Sequence, residues 1–387
     1  MDFTIINGRV LTGEGHIASV PLQLRDGVIA GSADNGPASA GQTIDAQGAL
    51  ILPGIIDLHG DAFERQILPR PGVHFPVDLA LRETDRQLLA NGITTAFHGI
   101  TYSWEPGLRG RETALSLIDA IEQQRPNLGC DTRVHLRWET FNLAGERDVS
   151  DLLHDGRVDL LAFNDHAAHI GQHIAADNRR KINEYANRTG LTHDAFIGVF
   201  NDVISRAADV PPAIARLAQA ARDAGIPCAS HDDETIEMRS WFHELGVRLC
   251  EFPVSTEVAR SAKDQGDFVI LGAPNVVRDG SHCDRLCATG AVRDGVCDIL
   301  TSDYYYPSLL VALFKLVERT DKTLAELWPL VSSWPAAATG MTDRGSLREG
   351  MRADVLIVDD REPGLPEVIT TFVAGQPVYT SRQRVAA

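Results

Sequence analysis

Six imidazole or carboxylate side chains stand at the ends of apolar runs in this 387-residue chain: His59 and Asp61 in LPGIIDLHGD, Glu139 in VHLRWET, His166 in LLAFNDH, His231 in ASHDD and Asp303 in TSDYY. That donor set contains no thiolate, so it suits zinc, manganese or iron rather than calcium. Residues i and i+2 of a strand point to one side, which lets His59 and Asp61 reach the same ion. A single His-x-Asp is ordinarily a surface turn. Four further strand ends of the same character turn it into part of a site. Glu139 is costly to bury unless it is paired or bound to a cation. Arg137, two residues away, is the ordinary partner, and bridging two metal ions is the chemical alternative. His282, in the RDGSH loop, is a further candidate for substrate contact or proton transfer. His98 and His135 lie nearer the middle of their strands and read as hydrogen-bonded core residues.

Residues scattered over some 240 positions converge only if the elements bring their ends together. Eight apolar strand candidates can be counted, at 51–61, 94–102, 132–140, 158–166, 226–233, 247–254, 268–277 and 297–305. Helical segments such as VDLALRETDRQLLANG and PAIARLAQAARDAG intervene and end on Gly or Asn-Gly. This alternation predicts a (β/α)8 TIM-like barrel, whose active site lies at the C-terminal ends of the strands. The stretch 167–210 reads as a long excursion after the fourth strand, placed to act as a lid. An open doubly wound sheet is the competing fold, but no Gly-rich phosphate fingerprint follows the first strand.

Short strands with Asn-Gly and Asp-Gly turns fill residues 1–50, and the same texture returns over 345–387. The expected organisation is therefore a composite β-sandwich from both termini around a barrel over 51–344. Net charge is −17, which argues against a broad nucleic-acid-binding face. No window approaches the ~20 consecutive apolar residues of a membrane helix, and the first residues lack a signal-peptide pattern. The cytoplasm is the expected compartment. The six cysteines form no CxxC pair and read as reduced thiols; His282-Cys283-x-x-x-Cys287 lacks the second half of a closed zinc site. No interface is legible, and association into a homo-oligomer is compatible with this architecture.

LPGIIDLHGD, the NGITT before the second strand, the late Asp of TSDYYYPS and the return strand in GSLREGMRADVLIVD resemble the amidohydrolase superfamily, including its split sandwich. DLHGDAFERQILPRPGVHFP, HGITYSWEPGLRG, LLAFNDH, ASHDDET, GAPNVVRDGSH and SDYYYPS together resemble one branch more closely. That branch is the family of ribose 1-methylphosphonate 5-triphosphate diphosphatases of the carbon–phosphorus lyase route for phosphonate use. The resemblance implies a hydrolase that converts the ribose 5-triphosphate to a 5-phosphate and diphosphate. It implies one or two divalent ions, zinc first and manganese or iron next, on His59, Asp61, Glu139, His166, His231 and Asp303. Most of the superfamily carries His-x-His where this chain has His59-x-Asp61. No lysine suggests the carbamylated bridge of many relatives, so Glu139 takes that place.

By the same resemblance Asp303 accepts the proton of the attacking water; His282 stays the further candidate for substrate contact or proton transfer. The leaving diphosphate must meet cations, for which Arg65 and Arg70, Arg109 or Arg111, and Arg278 are the candidates, with Tyr304 (or Tyr305 or Tyr306) as a neutral contact. Two other functions compete. One is hydrolysis of a C–N bond by a cyclic-amide hydrolase or deaminase, because fold alone does not specify substrate. The other is a non-catalytic metal-binding barrel.

Overall fold

A computed structural model describes residues 2–32, 41–70, 72–278 and 286–381. Eight parallel strands pair in chain order: β1 (Ile55–Gly60), β2 (Ile93–Tyr102), β3 (Asp131–Glu139), β4 (Leu160–Asn164), β5 (Cys228–His231), β6 (Leu249–Glu251), β7 (Phe268–Gly272) and β8 (Ile299–Thr301). A parallel bridge between Gly60 and Asp303 joins the last strand to the first and closes the barrel. Every residue of β1, β2, β4, β5, β6 and β8 is buried, as strands covered on both faces must be.

Two different cores result from the pleat. Ile56, Leu58, Phe97, Leu160, Ala162, Ala229, Leu249, Ile270 and Ile299 form one cluster drawn from seven strands, which only the barrel interior can bring together. Residues of opposite pleat, such as Leu136, Trp138, Leu161 and Phe163, pack with helix residues instead. The expected helices are present as Val77–Ala90 and Val210–Asp223. Each is followed by a glycine at positive φ, Gly92 and Gly225, where the chain turns into the next strand.

The strand expected over 268–277 stops at Gly272, and Ala273–Arg278 is helical. Pro274 causes no loss there, because the first turn of a helix has no partner for its N–H. A side chain at Gly272 would place its Cβ 3.2 Å from the Asp303 carboxylate, so the strand ends where the site needs room. The excursion after β4 consists of the helices Ala167–Ala175, Arg179–Thr189 and His193–Ile204. They enclose a small core of their own, including Ile170, Ile182, Phe196 and Phe200, against which Trp104 from the loop after β2 packs.

Both termini build the remaining sheets. Phe3–Ile6, Leu22–Arg25, Val28–Ser32 and Gln42–Asp45 make a four-stranded sheet. Leu50–Pro53 pairs with Val355–Asp359 and with Arg9–Leu11 in a six-stranded one, so the chain passes from sheet to barrel at Gly54. Phe3, Ile5, Leu24, Ile51, Val355 and Phe372 share the core between the two sheets. Cys130, Cys228, Cys250, Cys287 and Cys297 are free thiols among the described residues.

Candidate metal centre

A β-bulge prepares the first two donors. Between Asp57 and Gly60, β1 spends three steps against two on β2. The extra residue re-phases the pleat, so Ile56 below and His59 and Asp61 above all face the interior. Asp57 is left facing the seam, where its carboxylate accepts the Ser302 hydroxyl at 2.5 Å and the Ser302 N–H at 3.0 Å. Burial raises the Asp57 carboxyl to about 6. Across the same seam the Asp303 N–H donates to the His59 carbonyl, and the Asp61 N–H donates to the Asp303 carbonyl, both at 2.9 Å.

His59, Asp61 and Asp303 thus bring ligand atoms within 4.8 Å of one another. Burial, then the neighbouring charges of Asp61, Asp57 and Glu251, pushes the Asp303 carboxyl up to about 7. Burial also raises Asp61, with Arg137 pulling the other way, and holds His59 well below the usual imidazole range. Carboxylates crowded this way repel one another, and a cation relieves that repulsion.

A second group of donors lies beside the first. Glu139 accepts a 2.5 Å hydrogen bond from His166 Nδ1 and a 3.2 Å bond from the His166 N–H. Burial pushes Glu139 up, but the charge and hydrogen bonds of His166 outweigh it and leave the carboxyl below its ordinary value. His231 stands between the groups, its ring centroid 5.7 Å from that of His59 and 6.1 Å from that of His166. Phe252 packs on both His59 and His231 at 5.1 Å. Asp232, Phe252 and Asp303, at the ends of β5, β6 and β8, all adopt positive φ. Non-glycine residues persist there only when the surrounding structure holds them, a pattern common at functional sites.

Beneath these donors lies a pair that sequence reasoning missed. His135, expected to be a core residue, and Glu251 group with His59 as a second set of atoms that lie close enough to hold a metal ion. His59 Nδ1 lies 3.2 Å from both oxygens of Glu251. His135 donates through Nδ1 to the Leu58 carbonyl at 2.9 Å, and its buried Nε2 has no hydrogen-bond partner among the described residues. An orphaned imidazole nitrogen beside a fully buried carboxylate is a donor set that suits a divalent ion. Two signals pointed this way: Glu251 also ends an apolar run, and His135 shares its strand face with Glu139 at a spacing of four.

The cations fall differently from expectation. Arg137 does not pair with Glu139; its Nη1 lies 3.3 Å from Asp61, and Glu139 is taken by His166. The reason is the bulge, which swings Asp61 over the β3 side chains. Arg109 makes two bonds to Glu64, and Arg111 makes two to Asp148. Arg65 donates to the Tyr304 carbonyl. Arg278, exposed after β7, approaches the Tyr304 hydroxyl at 3.4 Å, and Arg70 is exposed in the loop after β1. Tyr304 is half-buried, Tyr305 is exposed and Tyr306 is buried. His98 faces outward onto Phe63. His282 lies outside the described residues.

The chain is 32% identical over 365 residues to α-D-ribose 1-methylphosphonate 5-triphosphate diphosphatase of Escherichia coli (strain K12), covering 92% of this chain and 96% of that protein. A shorter match, 41% over 59 residues and 14% of the relative, is to dihydroorotase of Bacillus thuringiensis (strain Al Hakam). No family model matches. Among solved structures it resembles the dihydropyrimidinase of Brevibacillus agri, with TM-score 0.67, 13% identity, and 100% and 96% of the two chains covered. A D-hydantoinase is similar at TM-score 0.66 and 14% identity, covering 98% and 95%. These two likenesses show the fold. Among the described residues no helix is long and apolar enough to cross a membrane.

Proposed function

Because the chain belongs to the amidohydrolase superfamily, in the family of the α-D-ribose 1-methylphosphonate 5-triphosphate diphosphatases, we propose that it hydrolyses that ribose triphosphate to the 5-phosphate and diphosphate. The observation that carries this reading is similarity along nearly the whole length of both chains, not at one motif. The substrate is then a diffusible cytoplasmic metabolite of phosphonate breakdown.

His59, Asp61, Glu139, His166, His231 and Asp303 would hold one or two divalent ions, with zinc the first choice and manganese or iron next. When bound, such an ion neutralises charge on the attacked phosphoryl group and acidifies water. Asp303 accepts the proton as the water oxygen bonds to phosphorus and the P–O bond to the departing diphosphate breaks. A carboxyl raised toward neutrality by burial matches that task. Arg70, Arg278 and Tyr304, on the segments after β1, β7 and β8, would form a rim that meets the departing diphosphate, with His282 as a further candidate for proton transfer. Arg65 and Arg109 build that rim by tying the β1 loop to Tyr304 and the β2 loop to Glu64.

The test is diphosphate release from the ribose triphosphate after a chelator has stripped the protein, then after zinc or manganese is restored. Activity should vanish and return. Turnover that survives complete removal of metal ends this reading. A panel of cyclic amides run alongside separates it from C–N bond hydrolysis: turnover of an amide without release of diphosphate replaces it.

A further inference from the structure

The strand β3 turns three functional side chains inward at a spacing of two: His135 deepest, Arg137 above it and Glu139 at the mouth. Their neighbours Val134, Leu136 and Trp138 belong to the helix-facing core. Arg137 is only 5% exposed, so its guanidinium sits among the ligands rather than in solvent. Gly99 on β2 makes the room. A Cβ there would stand 3.1 Å from Arg137 Cδ and 3.7 Å from His59 Nε2. The arginine stem therefore runs past β2 alongside the ring of the first ligand.

Its hydrogen bonding sets Arg137 apart. A guanidinium carries a fork of five N–H donors. Arg109, Arg111 and Arg188 each spend theirs on a bidentate carboxylate, Glu64, Asp148 and Glu105 respectively. The fully buried Arg239 makes three bonds, to Ser230, Asp233 and the Val247 carbonyl. Among the described residues Arg137 makes one long contact, 3.3 Å to Asp61; its buried Nε has no hydrogen-bond partner, as is also true of Arg239, but Arg239 has three other bonds to offset that loss. A buried cation left this unsatisfied is expensive unless a ligand completes it.

We propose that Arg137 is a catalytic residue that binds a phosphoryl oxygen of the substrate beside the metal ligands. This rests on the phosphoanhydride reading above. The planar fork matches a phosphoryl group, whose oxygens gain charge as the leaving group departs, and a donor fixed in a dry site acts on that charge without reorganisation. A neutral cyclic amide offers no such anion. The competing role is that of a counter-ion that merely keeps Asp61 charged.

Three measurements on the metal-loaded protein decide between them, using Arg137→Lys and Arg137→Ala. Elemental analysis gives metal content, calorimetry gives the affinity for inorganic diphosphate, and steady-state kinetics with the ribose triphosphate give kcat and KM. Metal content should match wild type, and diphosphate should bind at least about tenfold more weakly to R137A. Its kcat/KM should fall by about 10²–10³-fold, with part of the turnover restored by added guanidinium and a smaller loss in R137K. Metal lost from R137A, with diphosphate affinity unchanged in R137K, overturns the proposal in favour of the counter-ion. Wild-type protein that fails to cleave the ribose triphosphate, yet binds diphosphate through Arg137, overturns only the substrate reading and supports the anion site.

Discussion

His59 and Asp303 are joined main chain to main chain: the Asp303 N–H donates to the His59 carbonyl at 2.9 Å. With the Asp61 N–H on the Asp303 carbonyl, this pair of bonds closes the barrel. Closure of the fold and assembly of the first three donors are therefore one event. These side chains do not reach the site from flexible arms; they stand at or just past the ends of the two seam strands.

That relationship separates chemistry from folding at Asp303. The seam uses its backbone, so Asp303→Asn keeps the barrel closed while removing the proton acceptor. Turnover should fall by about 10²–10⁴-fold, with far-ultraviolet circular dichroism and melting temperature close to wild type. Near-normal diphosphate release from this variant would remove Asp303 as the base.

Glu251 fixes the ring of His59 from below. A histidine ligand commonly donates its second N–H to a carboxylate, which sets tautomer and orientation, and loss of that partner costs about 10–100-fold in metal affinity. Glu251→Leu should show a loss of that size for zinc, measured by competition with a chromophoric chelator. Glu251→Gln retains an acceptor oxygen and should lose less. Equal affinity in all three proteins contradicts the assignment.

Gly60 has no space for a side chain. A Cβ there would lie 2.9 Å from the Asp57 carboxylate and from Tyr306 Cε1, and 3.0 Å from Ser302 Oγ. Gly60→Ala must push the seam apart, at a cost of about 1–3 kcal/mol. A lowered melting temperature together with weakened zinc binding is expected. An unchanged melting temperature shows that the seam yields at no cost.

Asp354 makes stability depend on pH away from the metal centre. It is 4% exposed where the terminal sheet meets the barrel; its carboxylate accepts the Ala374 N–H at 2.9 Å and faces Arg352. Burial nevertheless raises it to about 6. Its unfolded value is about 4, so between the two the native state holds more protons and stability falls as pH rises through that window. The full effect is about 3 kcal/mol. Asp354→Asn should gain on wild type as pH is raised from 4 to 7 in denaturant titrations. A difference independent of pH defeats the prediction.

Much of the fold was legible because its causes are local. Continuous apolar runs identify strands buried on both faces, and glycines at positive φ mark where helices end. Eight such runs are enough for the barrel, and their polar ends mark six candidate donors. The misreading at 268–277 was also local: VILG and APNVV are equally apolar, and only the crowding of Gly272 against Asp303 shows where the strand stops. His135 was hidden because its position mid-strand is shared by ordinary core histidines such as His98. What distinguishes them is the pleat, which turns His135 inward and His98 outward onto Phe63.

The sequence by itself determined which residues face the barrel mouth and what chemistry they offer: imidazoles and carboxylates for a divalent ion. Which of them meet was decided only in three dimensions. His59 rests on Glu251, 192 residues away, Arg137 on Asp61, and Glu139 on His166. Partners on different strands are chosen by closure, register and one bulge in β1, none of which is written in any single segment. The same step decided the character of Arg137. A bland neighbour of Glu139 in the sequence becomes, once the barrel closes, a buried cation with an unfilled hydrogen-bonding fork beside the metal ligands.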